Sequence, residues 1–191
     1  MINEFEGRLG FKYNNKYNAL IALTHSSYAN ENKHEKLHSN ERLEFLGDAV
    51  LNISISDYVF KNCESLSEGE MTKLRANIVC EPSLMKCADK INLGNYLLLG
   101  KGEENTGGRK RASILADAFE ALIGSIYMDS GMQKAQDFIF DSMGELIARS
   151  LKGGNYIDYK TQLQELLQKN SDRKITYEII DEIGPDHDKL F

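Results

Sequence analysis

Residues 40–51, NERLEFLGDAVL, begin the helix on which we expect the fold to depend. Glu41, Glu44 and Asp48 are three or four residues apart, so they share one helix face as an acidic stripe. Apolar residues beside the stripe place this face near a core. Like charges in a row repel, and carboxylates close to buried surface suit a divalent cation. Three acids alone more often form a solvent-exposed face than a cation site, so the choice between the two depends on other segments of the chain.

The composition is that of an ordinary globular protein, with 41% apolar and 27% charged residues among 191. The net charge of −6 argues against a protein that coats nucleic acid, although cations would neutralise an acidic metal site. Three cysteines without CxxC spacing argue against zinc and disulfides, so we expect reduced thiols in a cytoplasmic protein. We find no membrane span and no signal peptide. The scarcity of proline favours a mostly helical chain.

A second acidic segment, residues 113–131, SILADAFEALIGSIYMDSG, predicts another helix. Asp117 and Glu120 share one face of it, and small residues surround them, which allows another helix to approach closely. The first helix has its own small residues at Gly47 and Ala49. If the small faces pack together, four acids converge: Glu44, Asp48, Asp117 and Glu120. A buried acidic cluster without a cation is costly, and a site of carboxylates alone suits Mg²⁺.

The remaining N-terminal segments predict further helices. A helix is expected over residues 17–23, followed by His25, for which a structural role is favoured over a site role. Ser67 with Glu70 forms a capping box, and Pro82 suits the first turn of the next helix. Glu68 is a weaker acidic candidate, because the helix dipole already explains an acid in a first turn. Residues 133–150 predict an amphipathic helix after a helix end at Gly131.

A glycine-rich basic loop precedes the second acidic helix, at residues 94–111. Its glycines would allow close approach to a phosphate backbone, and a solvent-exposed flexible loop is an equal alternative. The loop lacks the GxxxxGK[ST] order of a P-loop, so no nucleotide cofactor is expected. Ser113 is the predicted N-cap of the helix that follows.

Residues 151–156, with Gly153 and Gly154, predict a linker between two domains. Residues 1–150 form the first domain. Residues 157–191 change from a short amphipathic helix to a strand pattern, KITYEIIDEIG, and a turn at Gly184 and Pro185. We therefore expect an all-α domain followed by part of an α+β domain.

The sequence resembles bacterial ribonuclease III. The resemblance is carried by NERLEFLGDAVL at 40–51, by GKGEENTGGRKRASILADAFEALIGSIYMDSG at 100–131, and by THSSYANE at 24–31. Beyond the linker, DYKTQLQELLQ and GPDH resemble the start of the double-stranded-RNA-binding domain that follows the nuclease domain in this family.

The resemblance implies a homodimeric, metal-dependent endonuclease that cuts both strands of duplex RNA. Its products would have 5′-phosphate and 3′-hydroxyl ends, and its substrates would be ribosomal precursors and structured RNAs. The implied cofactor is Mg²⁺, with Mn²⁺ as a substitute.

The family's functional residues match positions of this sequence in three groups. The metal ligands would be Glu44, Asp48, Asp117 and Glu120, with Asp48 and Glu120 the catalytic pair. Residues of the outer shell or the dimer interface would be Glu41, Phe45 and Glu68. Residues that contact RNA would be Arg109, Arg111, Ser113, Thr161, Gln162, Glu165 and His187.

The sequence departs from the family pattern at its end. Phe191 falls inside the expected second strand, so the third strand and the basic final helix are not present, and residues 151–191 hold six basic and eight acidic residues. We expect this tail to be loosely held, to pack on its own nuclease domain, or to pair with another chain. A non-catalytic dimer that binds duplex RNA is the alternative function, and the retained acids argue against it.

Overall fold

The computed structural model describes residues 1–151 and Leu167. Over residues 1–151 the protein is all-α, as predicted, and its one backbone bridge joins Thr24 to Leu98. The α-helices are α1 Ile2–Leu9, α2 Lys16–Ala22, α3 Ser26–Glu31, α4 Glu41–Asn62, α5 Glu68–Ile78, α6 Glu81–Lys90, α7 Lys101–Asn105 and α8 Ala112–Leu151. Short 3₁₀ turns lie at Lys33–Glu35, Leu93–Tyr96 and Gly108–Lys110.

Local sequence signals explain several helix ends. Ser67 and Glu70 form both hydrogen bonds of the predicted capping box at the start of α5. Pro82 lies in the first turn of α6, as predicted. The prediction for Ser113 is wrong: α8 begins at Ala112, so Ser113 already lies inside the helix.

The first half of α8 is the centre of the fold, and α4 and α6 make the most extensive contacts with α8. From Ile114 to Ile126 every residue is buried except Asp117 and Glu120. The core around this segment includes Leu51 and Ile55 of α4. The two carboxylates therefore mark the positions at which an otherwise buried helix opens toward solvent.

Gly131 breaks α8, with φ 82° and ψ 179°. The positive φ is accessible to glycine at little cost, which confirms the predicted helix end at this position. The helix after the break is amphipathic, as expected. Its buried residues are Ala135, Phe138, Ile139, Met143 and Ile147.

The small-residue packing of α4 on α8 is confirmed at glycine positions. A Cβ built on Gly47 would overlap the Glu120 carbonyl oxygen, and one on Gly124 would overlap the Leu43 carbonyl oxygen. The two backbones are thus in contact. Ala49 is different: it is exposed and takes no part in this packing.

The glycine-rich segment is more ordered than the flexible-loop alternative suggests. It contains α7 and two 3₁₀ turns. Arg109 Nη1 donates to the carbonyl oxygens of Gly94 and Leu97 at 2.9 and 2.8 Å. The Arg109 guanidinium also pairs with Glu104 at 2.6 Å. Buried Gly108 packs against Glu103. The arginine side chain therefore joins the two ends of this segment.

The chain divides into two units, Met1–Asn155 and Tyr156–Phe191. The predicted linker, strand and turn lie outside the described residues, as do Thr161, Gln162, Glu165 and His187. In the described part of the chain, every helix is too short or too polar to cross a membrane.

Candidate active site

Three carboxylates meet where α4 packs on α8. One oxygen from each of Glu44, Asp117 and Glu120 lies within 4.8 Å of the other two. Glu44 and Glu120 are partly buried, and Asp117 is exposed. Residues 76 positions apart in the chain are thus brought to one point. Three of the four acids that the pairing of the two segments predicts are in this group, and Asp48 is not.

Backbone contact between the helices sets this convergence. Gly47 follows Glu44 by three residues, and it touches the turn of α8 that carries Glu120. The start of α4 is held in turn by hydrogen bonds to a neighbouring segment. The Asn40 backbone N–H donates to the Thr24 carbonyl at 2.8 Å, and its buried side-chain amide donates to the Ala22 carbonyl at 3.4 Å.

The electrostatics of the cluster are those of acids crowded without a compensating charge. Burial raises the pKa of Glu120 to about 8, with further contributions from the negative charges of Asp48, Glu44 and Asp117. Burial and the neighbouring acids also raise the pKa of Glu44. Burial raises the pKa of Asp117, and the charge of Glu81 adds to this effect. Bringing these carboxylates together while ionised is therefore costly.

Asp48 and Glu41 lie beside the three converging carboxylates. Asp48 is exposed, and its Oδ1 accepts a hydrogen bond from the Asn52 amide at 2.6 Å. Its charge nevertheless acts on both Glu120 and Glu44. Glu41 acts on Glu44 and accepts a hydrogen bond from the Ser39 hydroxyl at 2.7 Å. These two acids lie next to the three converging carboxylates and add to the negative potential there.

The donor set fits a hard divalent cation. The three groups offer carboxylate oxygens, with no thiolate or imidazole among them. Oxygen donors at this spacing are the ligands that Mg²⁺ prefers, and a bound cation would favour the ionised form of Glu120, whose pKa is raised by burial and by the neighbouring acids. The chemistry that such a site supports is metal-assisted hydrolysis.

Comparisons with known proteins identify the family of this chain. The family model described as Ribonuclease-III-like matches residues 16–147. The chain is 53% identical to Ribonuclease 3 of Caldanaerobacter subterraneus subsp. tengcongensis over 191 residues, covering 100% of this chain and 83% of that protein. It is 51% identical to Ribonuclease 3 of Desulforamulus reducens over 189 residues, covering 99% of this chain and 77% of that protein.

This chain belongs to the ribonuclease III family. A solved structure of the Campylobacter jejuni ribonuclease III nuclease domain also matches, with 39% identity and a TM-score of 0.70. That match covers 76% of this chain and 97% of the solved one. The all-α nuclease fold is confirmed, and the protein is an endoribonuclease of the ribonuclease III type. Family membership argues against the non-catalytic alternative.

Glu68 and Phe45, which were predicted for the outer shell or the dimer interface, lie away from the carboxylate group. Glu68 lies in a groove between α4 and α5, together with Ile53, Phe60 and Met71. Phe45 points away from the core and is 79% exposed. Ile53 and Phe60 of the same helix are also exposed, and a group of exposed apolar side chains is typical of a surface that another molecule covers.

The arginines expected beside RNA are engaged within the protein. Arg109 holds the segment before α8, and Arg111 pairs with Glu103 and donates to the Thr106 hydroxyl at 3.1 Å. Their guanidinium groups thus have structural partners, and their contact with RNA stays a prediction. Ser113 lies partly buried in the first turn of α8.

Sequence reasoning did not connect two residues with Asp117. Glu81 and His25 both act electrostatically on its carboxylate, although they come from α6 and from the residue that precedes α3. Glu81 lies beside the correctly predicted Pro82, but no spacing pattern links it to Asp117. His25 does cap α3, which confirms the structural role that was favoured for it.

Proposed function

We propose that this protein is a Mg²⁺-dependent, homodimeric endonuclease that hydrolyses both strands of duplex RNA and leaves 5′-phosphate and 3′-hydroxyl ends. Mn²⁺ would substitute for Mg²⁺. The observation that carries the proposal is the convergence of Glu44, Asp117 and Glu120 within 4.8 Å. Ribosomal precursors and structured RNAs in the cytoplasm are the proposed substrates.

Each carboxylate has a proposed role. When bound, Mg²⁺ stabilises negative charge on phosphodiester oxygens and activates water for attack. Glu44, Asp117 and Glu120 hold the cation, and Glu120 must lose its proton to do so because its pKa is about 8. Asp48 acts from beside the group as a further ligand or through a water, and with Glu120 forms the proposed catalytic pair. Glu41 and Glu68 belong to the outer shell or the subunit interface. No protein nucleophile is required.

The dimer is supported by the outward face of α4. Phe45, Ile53 and Phe60 lie on this helix with 79%, 55% and 71% of their surfaces exposed. A second subunit on this face would cover the apolar surface. The Campylobacter jejuni nuclease domain has a region involved in dimer formation. Two sites related by a two-fold axis would allow each to cut one strand of the duplex.

Duplex selection would follow from the shape of A-form RNA, whose shallow minor groove displays 2′-hydroxyls. Ser113, Arg109 and Arg111 are proposed contacts of the nuclease domain. Thr161, Gln162, Glu165 and His187 are proposed contacts of the second domain. The proposed domains are residues 1–150 and 157–191, with a linker at 151–156.

The deciding experiment is incubation of the purified chain with an end-labelled RNA duplex, with Mg²⁺ or with EDTA. We expect cleavage with Mg²⁺ only, and products that accept ligation at their 5′-phosphates. Single-stranded RNA of the same sequence is the control, and we expect it to remain uncut. Cleavage that persists in EDTA would disprove the metal dependence.

A further inference from the structure

An asparagine amide fixes the position of the Asp48 side chain. Asn52 follows Asp48 by four residues on α4, so the two side chains are neighbours on one helix face. The Asn52 Nδ2 donates to Asp48 Oδ1 at 2.6 Å and to the Asp48 carbonyl oxygen at 3.0 Å. One amide group thus holds both the carboxylate and the backbone of the same residue.

The two acceptors determine the orientation of this amide. An ionised carboxylate and a backbone carbonyl can only accept hydrogen bonds, so the NH₂ group of Asn52, and not its oxygen, must face Asp48. The bond to the backbone carbonyl keeps the amide in place independently of the carboxylate. The bond to the carboxylate joins a neutral donor to a charged acceptor, which makes it stronger than a bond between two neutral groups.

In this orientation Asp48 lies beside the three converging carboxylates and is not one of them. Oxygens of Glu44, Asp117 and Glu120 all lie within 4.8 Å of one another, and Asp48 is outside this group. Asp48 directly follows Gly47, which touches the backbone of Glu120. It also lies one helical turn after Glu44, on the same face of α4. The carboxylate that the amide holds is therefore next to the site.

We propose that Asn52 is a positioning residue of the metal site, which holds the Asp48 carboxylate beside the three proposed ligands, where its charge attracts the bound cation. Hydrogen-bond partners that orient the carboxylates of a metal site typically change metal affinity about 10- to 100-fold when they are removed. Asn52 acts on the cation only through Asp48, which distinguishes its role from that of a ligand. This inference rests on the proposed metal site.

Three single variants test the role of the amide. Asn52→Ala removes it at a helical position, where alanine is favoured. Asn52→Gln restores an amide donor, because glutamine can bond to an aspartate one turn away. Asn62→Ala is the matched control: the Asn62 amide makes the same backbone bond on α4, to the Tyr58 carbonyl at 2.8 Å, and tyrosine has no carboxylate. Calorimetry on each full-length, RNA-free protein would give its Mn²⁺ affinity, and circular dichroism in EDTA would record its helix content.

We expect Asn52→Ala to bind Mn²⁺ about 10-fold more weakly than the wild type, with the same helix content. Asn52→Gln should recover most of that loss, and Asn62→Ala should match the wild type. The decisive comparison is made in an Asp48→Ala background. There Asn52→Ala should cause no further loss of affinity, because the amide no longer has a carboxylate to hold.

Wild-type or tighter Mn²⁺ binding by Asn52→Ala would overturn the inference. So would a loss of affinity that is as large in the Asp48→Ala background as in the wild type, or one that accompanies a loss of helix. Failure of the wild type itself to bind Mn²⁺ would instead refute the proposed metal site.

Discussion

Gly47 of α4 lies against the backbone carbonyl of Glu120 on α8, with no room for a side-chain carbon between them. The same crossing holds Gly124 against the Leu43 carbonyl. Glu44 is one turn from Gly47, so the distance between its carboxylate and that of Glu120 depends directly on this contact. The packing of α4 on α8 therefore determines the geometry of the site.

Gly47→Ala should therefore damage both stability and activity. The added methyl meets backbone atoms, which cannot move aside as a flexible side chain could, and overpacking of this kind costs about 1–3 kcal/mol. Urea unfolding would measure the loss, and duplex cleavage would show whether the site is displaced. Gly144→Ala is the control, since nothing lies within 4 Å of its added carbon and alanine favours a helix. Equal stability of the two variants would contradict the close contact.

Glu120→Gln should keep the fold and lose most of the cleavage. A neutral amide is a poor ligand for Mg²⁺, and several kcal/mol of charge stabilisation in the transition state correspond to roughly 10²- to 10³-fold in rate. Single-turnover cleavage at saturating enzyme would measure this step. Asp141→Asn removes an exposed acid elsewhere on α8 and should cut at the wild-type rate. Undiminished cleavage by Glu120→Gln would show that another group performs its role.

The stability of the metal-free protein should fall as pH rises from about 4.5 toward 8. Over this window the folded state holds the Glu120 proton, whose pKa is about 8, while the unfolded state has released it. Glu120→Gln has no such proton. We expect wild type and variant to differ least at pH 5, and the variant to unfold about 2–4 °C higher at pH 8, a modest shift because Glu120 is partly open to solvent.

Thermal unfolding in EDTA at the two pH values would test this effect. Saturating Mn²⁺ should reverse the order at pH 8, because the cation binds the ionised carboxylate of the wild type. A difference between the two proteins that stays constant with pH would rule out the raised pKa of Glu120.

Phe45→Ala should weaken the proposed dimer. Truncation of a buried interface aromatic commonly costs about 2 kcal/mol or more, which raises the dimer dissociation constant roughly 30-fold. Sedimentation velocity over a concentration series would measure the constant. Met128→Ala is the control, because Met128 is a 59% exposed apolar residue of α8. Unchanged association of Phe45→Ala would place the subunit contact on another face.

Arg109→Ala should destabilise the domain, in addition to removing the proposed RNA contact. Its guanidinium satisfies two backbone carbonyls and pairs with Glu104, and charge-assisted hydrogen bonds contribute about 1.5–3 kcal/mol each where desolvated. Thermal unfolding would show the loss, and Lys110→Ala, an exposed neighbour, should have no such effect. A variant with wild-type stability and a weaker salt dependence of RNA binding would instead assign Arg109 to a phosphate.

Local sequence signals, together with the expected packing of the two acidic helices, were sufficient to predict much of the fold. Ser67 with Glu70 and Pro82 mark helix starts through interactions that span one turn, so the sequence contains everything needed to find them. The meeting of α4 with α8 was predictable because glycine and alanine beside acids indicate close packing. Ala49 shows the limit of that rule, since composition alone does not tell which small residue faces the partner helix.

The parts that sequence reasoning missed depend on tertiary contact. Arg109 belongs to a basic run that suggests a solvent-exposed or RNA-binding loop. Its guanidinium instead donates hydrogen bonds to carbonyl oxygens 12 and 15 residues away. Glu81 and His25 come near Asp117 only through the packing of α6 and of the segment before α3. No periodicity in the chain connects these residues, so only a three-dimensional structure brings them into the site.

The placement of Asp117 and Glu120 on the most buried segment of α8 has a consequence for how the protein loses activity on heating. Active-site segments often open locally, well below the free energy of global unfolding. Here the amides around these two carboxylates belong to the central helix, so their hydrogen exchange should require the opening of the whole domain. Heat inactivation should then coincide with the loss of helical circular dichroism.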